Sequence, residues 1–77
     1  MGSKLEYTVY RDDVKEWRYS SRFTANGEGG PVSEEGFKRK DHALDRATAA
    51  AHDGDTIIVK NADGTEDYKF IKGAAGL

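Results

Sequence analysis

Hydrophobic and polar residues alternate with a period of two in the first two segments of the chain. In "LEYTVYR", Leu5, Tyr7 and Val9 fall on one side of an extended strand. In "WRYSSRFTA", one side carries Trp17, Tyr19, Phe23 and Ala25, interrupted by Ser21, and the other carries Arg18, Ser20, Arg22 and Thr24. The polar link at Asp12-Asp13 predicts that these two strands pair as a hairpin.

A third, short strand is expected after the next turn. Asn26-Gly27 is a strong signal for a chain reversal because both residues tolerate positive φ. The residues that follow include two glycines and Pro31, which removes a donor from any ladder. The third strand is therefore predicted to be an edge piece around Val32 and Ser33.

The period changes to that of a helix in "KRKDHALDRATAAAHDG". The residues at helical spacing are Ala43, Leu44, Ala47, Ala50 and Ala51. Asp41 suits the positive end of the helix dipole, His52 suits the negative end, and Gly54 stands where a left-handed cap is expected. The pattern predicts one helix whose alanine face can approach a sheet closely.

Two more strands follow the helix and complete the pattern. Ile57 and Val59 are predicted to point inward, followed by a turn over residues 61–64 and a strand with Tyr68 and Phe70 inward. The tail "AAGL" is expected to be mobile.

The element order β-β-β-α-β-β predicts an α+β fold with an antiparallel sheet and one helix packed across one face. We expect a single domain over residues 1–77, with an ordered core at residues 4–73.

The composition indicates that this core is small. Leu, Ile, Val and Phe together account for 13 of 77 residues, although eight aromatic residues and a net charge of only −2 favour folding. Small domains of this kind need disulfides, a metal or a partner subunit, and the chain has no cysteine and two isolated histidines. We therefore expect a homodimer.

Membrane insertion and secretion are not expected. No window approaches the roughly 18 consecutive apolar residues of a membrane span, and the start "MGSKLEYT" lacks the pattern of a secretory signal. The sequence therefore predicts a soluble protein with a cytoplasmic location.

Catalytic and metal-binding motifs are not found in the sequence. His42 and His52 are ten residues apart on one helix, so they point in different directions, and Asp41 with Asp45 is typical of a solvated helix face. The stretch "GEGGP" lacks the lysine and the following helix of a phosphate loop. We predict a non-enzymatic protein with no cofactor and no metal.

The outer face of the predicted sheet is the candidate binding surface. Alternation places on it Arg18, Arg22, Lys60, Lys69 and Tyr10, facing the acidic residues Glu6 and Asp67. Cations beside an aromatic ring can hold a phosphate backbone and stack a base, although on a half-exposed sheet they are more often solvated. Ile58 and Ile71 also fall on this face and would form an apolar patch unless a second copy or a partner covers them.

Short motifs in the first half resemble the small YegP-like proteins of unknown function. They are Trp17-Arg18, Asn26-Gly27-Glu28, Ser33, Gly36-Phe37, Lys40 and Ala43, spread over residues 7–44. The resemblance implies a β3-α-β2 unit, present as a tandem repeat or as a homodimer with one continuous sheet and exchanged carboxy-terminal strands. Through Phe37, Ala43, Ala47, residues 57–59 and Asp63-Gly64, the second half resembles another short bacterial family of unknown function. Neither resemblance implies catalytic residues.

The sequence therefore predicts a non-enzymatic homodimer that binds another macromolecule, with a protein as the favoured partner. The alternative is a nucleic-acid-binding module that uses the outer sheet face.

Overall fold

Four strands and one helix make up the fold. The computed structural model describes residues 4–73, so the predicted mobile tail at residues 74–77 lies outside the described part. The elements are β1 (Leu5–Arg11), β2 (Trp17–Phe23), α1 (Lys40–Ala50), β3 (Thr56–Lys60) and β4 (Glu66–Ile71).

The strands form one mixed sheet in the order β2-β1-β3-β4. β1 pairs antiparallel with β2, β3 pairs antiparallel with β4, and β1 pairs parallel with β3. The predicted α+β class with one helix on one face is confirmed, but the purely antiparallel sheet is wrong. The chain crosses from β2 through α1 before it reaches β3, and such a long crossover allows parallel pairing with β1.

The predicted third strand does not form a regular strand. Residues 28–37, here called the covering segment, instead run along the free side of β2 with two isolated bridges, Trp17 to Phe37 and Arg22 to Gly29. Hydrogen bonds join the N–H of Gly30 to the carbonyl of Ser21 at 2.9 Å and the two main-chain groups of Phe37 to those of Trp17 at 2.7 and 2.8 Å. The ladder is interrupted because the covering segment has more residues than the stretch of β2 beside it.

The core lies between α1 and the adjacent face of the sheet, as the alternation predicted. Its buried hydrophobic residues are Leu5, Tyr7, Val9, Ala43, Ala47, Ala51, Ile57 and Val59. Trp17, Tyr19 and Phe23 pack around it as partly buried side chains. Three of the eight buried residues are alanines, so the helix approaches the sheet closely and contributes little apolar volume.

Free carbonyl groups at the carboxy-terminal end of α1 accept hydrogen bonds from a lysine that follows β4. The helix ends because Ala51 adopts an extended conformation, with φ −76° and ψ 154°. Lys72 Nζ donates to the carbonyl oxygens of Thr48 and Ala51, at 2.5 and 2.7 Å. The cation at the negative end of the helix dipole is therefore Lys72, and the prediction that gave this role to His52 is wrong.

The Asp55 carboxylate joins three elements at this end of the molecule. Asp55 is only 2% exposed. One carboxylate oxygen accepts the N–H of Leu5 at 3.0 Å, and the other accepts the N–H of His52 at 2.9 Å. The start of β1 and the residues after α1 are therefore held against the start of β3.

The helix covers only part of the sheet. α1 packs against β1, β2 and β3, and every one of its Cα atoms lies more than 8 Å from those of β4. Tyr68 and Phe70 lie on the helix side of β4, opposite Val59 and Ile57, as predicted. Because α1 does not reach them, Tyr68 is 44% exposed and Phe70 is only half-buried.

Replacing Asp55 by alanine tests the importance of this carboxylate. Asp55→Ala leaves two main-chain N–H groups without an acceptor, and we expect it to lower the free energy of unfolding by about 3 kcal/mol. The measurement is urea denaturation followed by circular dichroism. Asp45→Ala on the exposed helix surface is the matched control, with an expected change within about 0.5 kcal/mol. Equal effects of the two substitutions would contradict the assigned role.

Candidate functional site

The outer face of the sheet, turned away from α1, gathers the predicted binding residues. Tyr10 on β1 lies opposite Arg18 on β2, and Arg22 lies opposite Glu6. Lys60 is on β3, and Lys69 on β4 lies opposite Ile58. The structure therefore distributes the five predicted residues over all four strands of one surface.

Arg18 is held by acidic residues of the β1–β2 connection. Its Nε donates to Asp12 Oδ2 at 2.7 Å, and its Nη2 lies 4.0 Å from Glu16 Oε1. The other Asp12 oxygen accepts the N–H groups of Glu16 at 2.8 Å and Val14 at 3.0 Å. Sequence reasoning treated Asp12 only as part of a polar link, although aspartate in turns commonly accepts main-chain hydrogen bonds in this way.

These contacts shift the ionisation of both partners. The hydrogen bond from the Glu16 N–H lowers the pKa of Asp12 below its usual value of 3.8, and the Arg18 guanidinium lowers it further. The Asp12 carboxylate in turn raises the pKa of Arg18. Arg18 therefore stays protonated, and the Asp12 carboxylate of the same chain balances its positive charge.

Arg22 is paired in a similar way. Its Nη2 lies 2.9 Å from Glu6 Oε1, and its Nε donates to the same oxygen at 3.0 Å. The two residues face each other across β1 and β2, so the pair is a cross-strand contact on the outer face. Both predicted arginines thus have acidic partners.

The two lysines differ from the arginines. Among residues 4–73, none of the ion pairs includes Lys60 or Lys69. Lys60 is half-buried and lies opposite Glu66, whereas Lys69 is exposed on the edge strand. Lys69 is therefore the more accessible positive charge for an incoming group.

Ile58 and Ile71 have unequal exposure on this face. Ile58 is half-buried between the neighbouring strands, while Ile71 is 50% exposed. A groove of about 500 Å³ lies beside Ile71, and its lining includes Glu6, Thr56 and Lys69. Of the two isoleucines predicted to form an apolar patch, Ile71 is therefore the more exposed.

Asp67 does not lie where alternation placed it. In the pairing of β3 with β4, Lys60 faces Glu66 and Val59 faces Tyr68, so Asp67 is an extra residue in the strand. Its carboxylate contacts Lys40 Nζ on α1 at 2.9 Å. The prediction that Asp67 belongs to the outer face is wrong, because this bulge lets its side chain reach the helix.

A groove between α1 and β4 was not predicted. It has a volume of about 490 Å³, and its lining residues are Arg39, Lys40, Asp41, Leu44 and Tyr68. Lys40 Nζ also lies 5.5 Å from the centre of the Trp17 ring. The groove exists because α1 stops short of β4, which the sequence pattern does not reveal.

Two titratable residues of α1, Asp41 and His42, make contacts with nearby side chains. The His42 ring packs against the Phe37 ring with centroids 4.8 Å apart and an angle of 43° between the ring planes. Asp41 accepts two hydrogen bonds from Arg39, at 3.0 and 2.7 Å, and this guanidinium lowers the pKa of Asp41. Across residues 4–73, no cluster of three or more histidine, cysteine, aspartate or glutamate residues could hold a metal ion.

No family model, no curated protein and no solved structure matches this chain. The resemblance to YegP-like proteins therefore stays a prediction. Within the described range, residues 4–73, no helix is long and apolar enough to cross a membrane.

The Asp12–Arg18 pair can be tested by titration. We expect the Asp12 carboxyl group to titrate below 3.8 in carbon-detected NMR, and its pKa to rise in Arg18→Gln. The rise should be incomplete because the Glu16 and Val14 N–H groups still donate to the carboxylate. Since the folded-state pKa is the lower one, this contribution to stability is present above the unfolded-state pKa and is lost as pH falls through the folded-state value.

Arg22→Gln is the matched control for this titration, because it removes a guanidinium that contacts Glu6 and not Asp12. It should leave the Asp12 titration unchanged. An unchanged Asp12 pKa in Arg18→Gln would contradict the described contact.

Proposed function

We propose that the protein is a non-enzymatic module that forms a homodimer and binds another protein. The observation that carries this proposal is the bare outer face of the sheet, where Ile71 is 50% exposed beside a groove of about 500 Å³. Because α1 covers the opposite face, contact with a second molecule would be needed to bury the Ile71 side chain.

The small core supports self-association. Complete burial of a large aliphatic side chain contributes about 1.5–3 kcal/mol, and an alanine contributes less. Three of the buried hydrophobic residues are alanines, whereas Ile71, Tyr68, Val14 and Val32 remain exposed. Contact between two copies through the outer face would bury Ile71 twice and add to a core that is otherwise small.

The buried polar groups support a non-enzymatic role. Asp55 and Ser21 are the buried polar side chains in the described part of the chain. Asp55 accepts main-chain N–H groups, and Ser21 Oγ donates to the carbonyl of Pro31 at 2.5 Å. These groups are committed to structural hydrogen bonds and do not form a pair poised for acid-base chemistry.

Nucleic-acid binding by the outer face is the second candidate. Lys60, Lys69 and Tyr10 favour it, because these two lysines, which are in no ion pair with another described residue, share a face with an aromatic ring. It receives less support than protein binding because Arg18 and Arg22 are neutralised by acidic partners, which a phosphate would have to displace.

Ile71→Thr tests the homodimer while keeping a β-branched residue in the strand. We expect size-exclusion chromatography with light scattering to give a dimer at about 100 µM for the unaltered chain. The substitution should raise the dimer dissociation constant on the order of tenfold, because it removes apolar contact from both copies. A strict monomer of the unaltered chain would overturn the homodimer.

Val14→Thr is the matched control for Ile71→Thr. Val14 is 65% exposed but lies in the β1–β2 connection, away from the outer face. Its substitution should leave the dissociation constant unchanged. Salt-dependent binding of a labelled single-stranded oligonucleotide, weakened by Lys69→Gln, would instead favour the second candidate.

A further inference from the structure

The fold covers one edge of its sheet and leaves the other open. β2 is bordered by the covering segment, which donates or accepts main-chain hydrogen bonds at Phe23, Ser21, Tyr19 and Trp17. β4 is the last strand on the opposite side, and within residues 4–73 no further strand lies beyond it. Its six residues include no proline, so the strand keeps all of its main-chain donors.

The free hydrogen-bonding groups of this edge can be assigned to residues. Lys72 donates its N–H to the Asp55 carbonyl at 2.9 Å and accepts the N–H of Gly54 at 2.8 Å, so its main chain points inward. Main-chain groups of successive residues point to alternate sides of an antiparallel strand. The N–H and C=O groups of Lys69 and Ile71 therefore point away from β3, towards the open edge.

The side chains of β4 present different chemistry on its two faces. On the helix side, the Tyr68 and Phe70 rings stack with centroids 6.2 Å apart, and Tyr68 lines the groove beside Leu44. On the outer side, Lys69 takes part in none of the ion pairs found within residues 4–73. A strand added to this edge would meet aromatic rings on one face and, on the other, the positive charge of Lys69, with the exposed Glu66 at the start of β4.

Charge favours a foreign strand over a second copy of β4. If two copies paired through this edge, Lys69 and Ile71 of one copy would face the same two residues of the other. Asp67 would not take part, because it lies in the bulge and contacts Lys40. When residues 69–71 of the two copies pair with each other, self-pairing sets no acidic residue opposite Lys69, since the acidic residues of β4, Glu66 and Asp67, lie at the bulge. Opposite charges on directly paired residues stabilise a sheet, and like charges destabilise it.

We propose that the β4 edge is a strand-addition site for an extended segment of a partner protein in which apolar and acidic residues alternate. The apolar residues would lie against Tyr68 and Phe70, and an acidic residue would face Lys69. Main-chain hydrogen bonds supply affinity in this mode of recognition, and the alternating side chains supply specificity. The proposal rests on the proposed protein binding and is independent of the homodimer.

Amide hydrogen exchange measured by NMR tests this site directly. The probes are two capped eight-residue peptides, one alternating valine with glutamate and the other alternating valine with lysine. We expect the valine–glutamate peptide to slow exchange at the Lys69 and Ile71 amides. The Phe70 amide, which points towards β3, should be protected with or without peptide. The valine–lysine peptide should bind more weakly, by about threefold or more, because it sets a like charge against Lys69.

Charge reversal at the edge supplies the matched variants. Lys69→Glu should invert the preference, so that the valine–lysine peptide binds more tightly than the valine–glutamate peptide. Lys38→Glu makes the same change at an exposed residue of the loop before α1, and it should keep the preference of the unaltered chain. The peptide comparison on the unaltered chain remains informative even if a variant folds poorly.

The outcomes separate this proposal from the proposed function. Failure of both peptides to protect Lys69 and Ile71, or an unchanged preference in Lys69→Glu, would overturn strand addition. Protection of the same amides that grows with protein concentration alone would assign the edge to a second copy and overturn the foreign strand. A monomer by light scattering whose edge amides the valine–glutamate peptide protects would overturn the homodimer and support strand addition.

Discussion

The width of a single helix limits how this sheet can be covered. Four strands spaced about 4.8 Å apart span about 14 Å between the outermost strand axes, and a helix with its side chains is about 10 Å wide. α1 packs over β2, β1 and β3, and it leaves β4 with a half-buried Phe70 and an exposed Tyr68. The groove beside Leu44 and the exposure of Tyr68 follow from this mismatch.

The charges of the outer face show how composition can mislead about binding. Four basic residues share this surface, yet the two arginines on β2 are already paired with Asp12 and Glu6. The accessible positive charge is thereby concentrated at Lys69 on β4. A phosphate backbone on this surface would meet two arginines that already have acidic partners.

Features that depend on local periodicity were predictable, and features that depend on distant partners were not. The alternation around Tyr7 and Val9 and the alanine spacing of α1 correctly identified the core. The parallel pairing of β1 with β3 depends on the position at which the chain re-enters the sheet after α1, and the local sequence does not determine that position. The bulge that turns Asp67 towards Lys40 shifts the alternation by one residue, so every inference about that side chain failed.

The hydrogen bond from Leu5 to Asp55 joins residues that are 50 positions apart, and the parallel pair of central strands spans the same distance. Closing such a loop costs about 2 kcal/mol more in chain entropy than closing the short β1–β2 hairpin. We therefore expect the middle of the sheet to assemble late, after the two hairpins and the helix have formed as fluctuating local units. On this reasoning, pairing of β1 with β3 limits the folding rate, because the other contacts join residues that are closer in sequence.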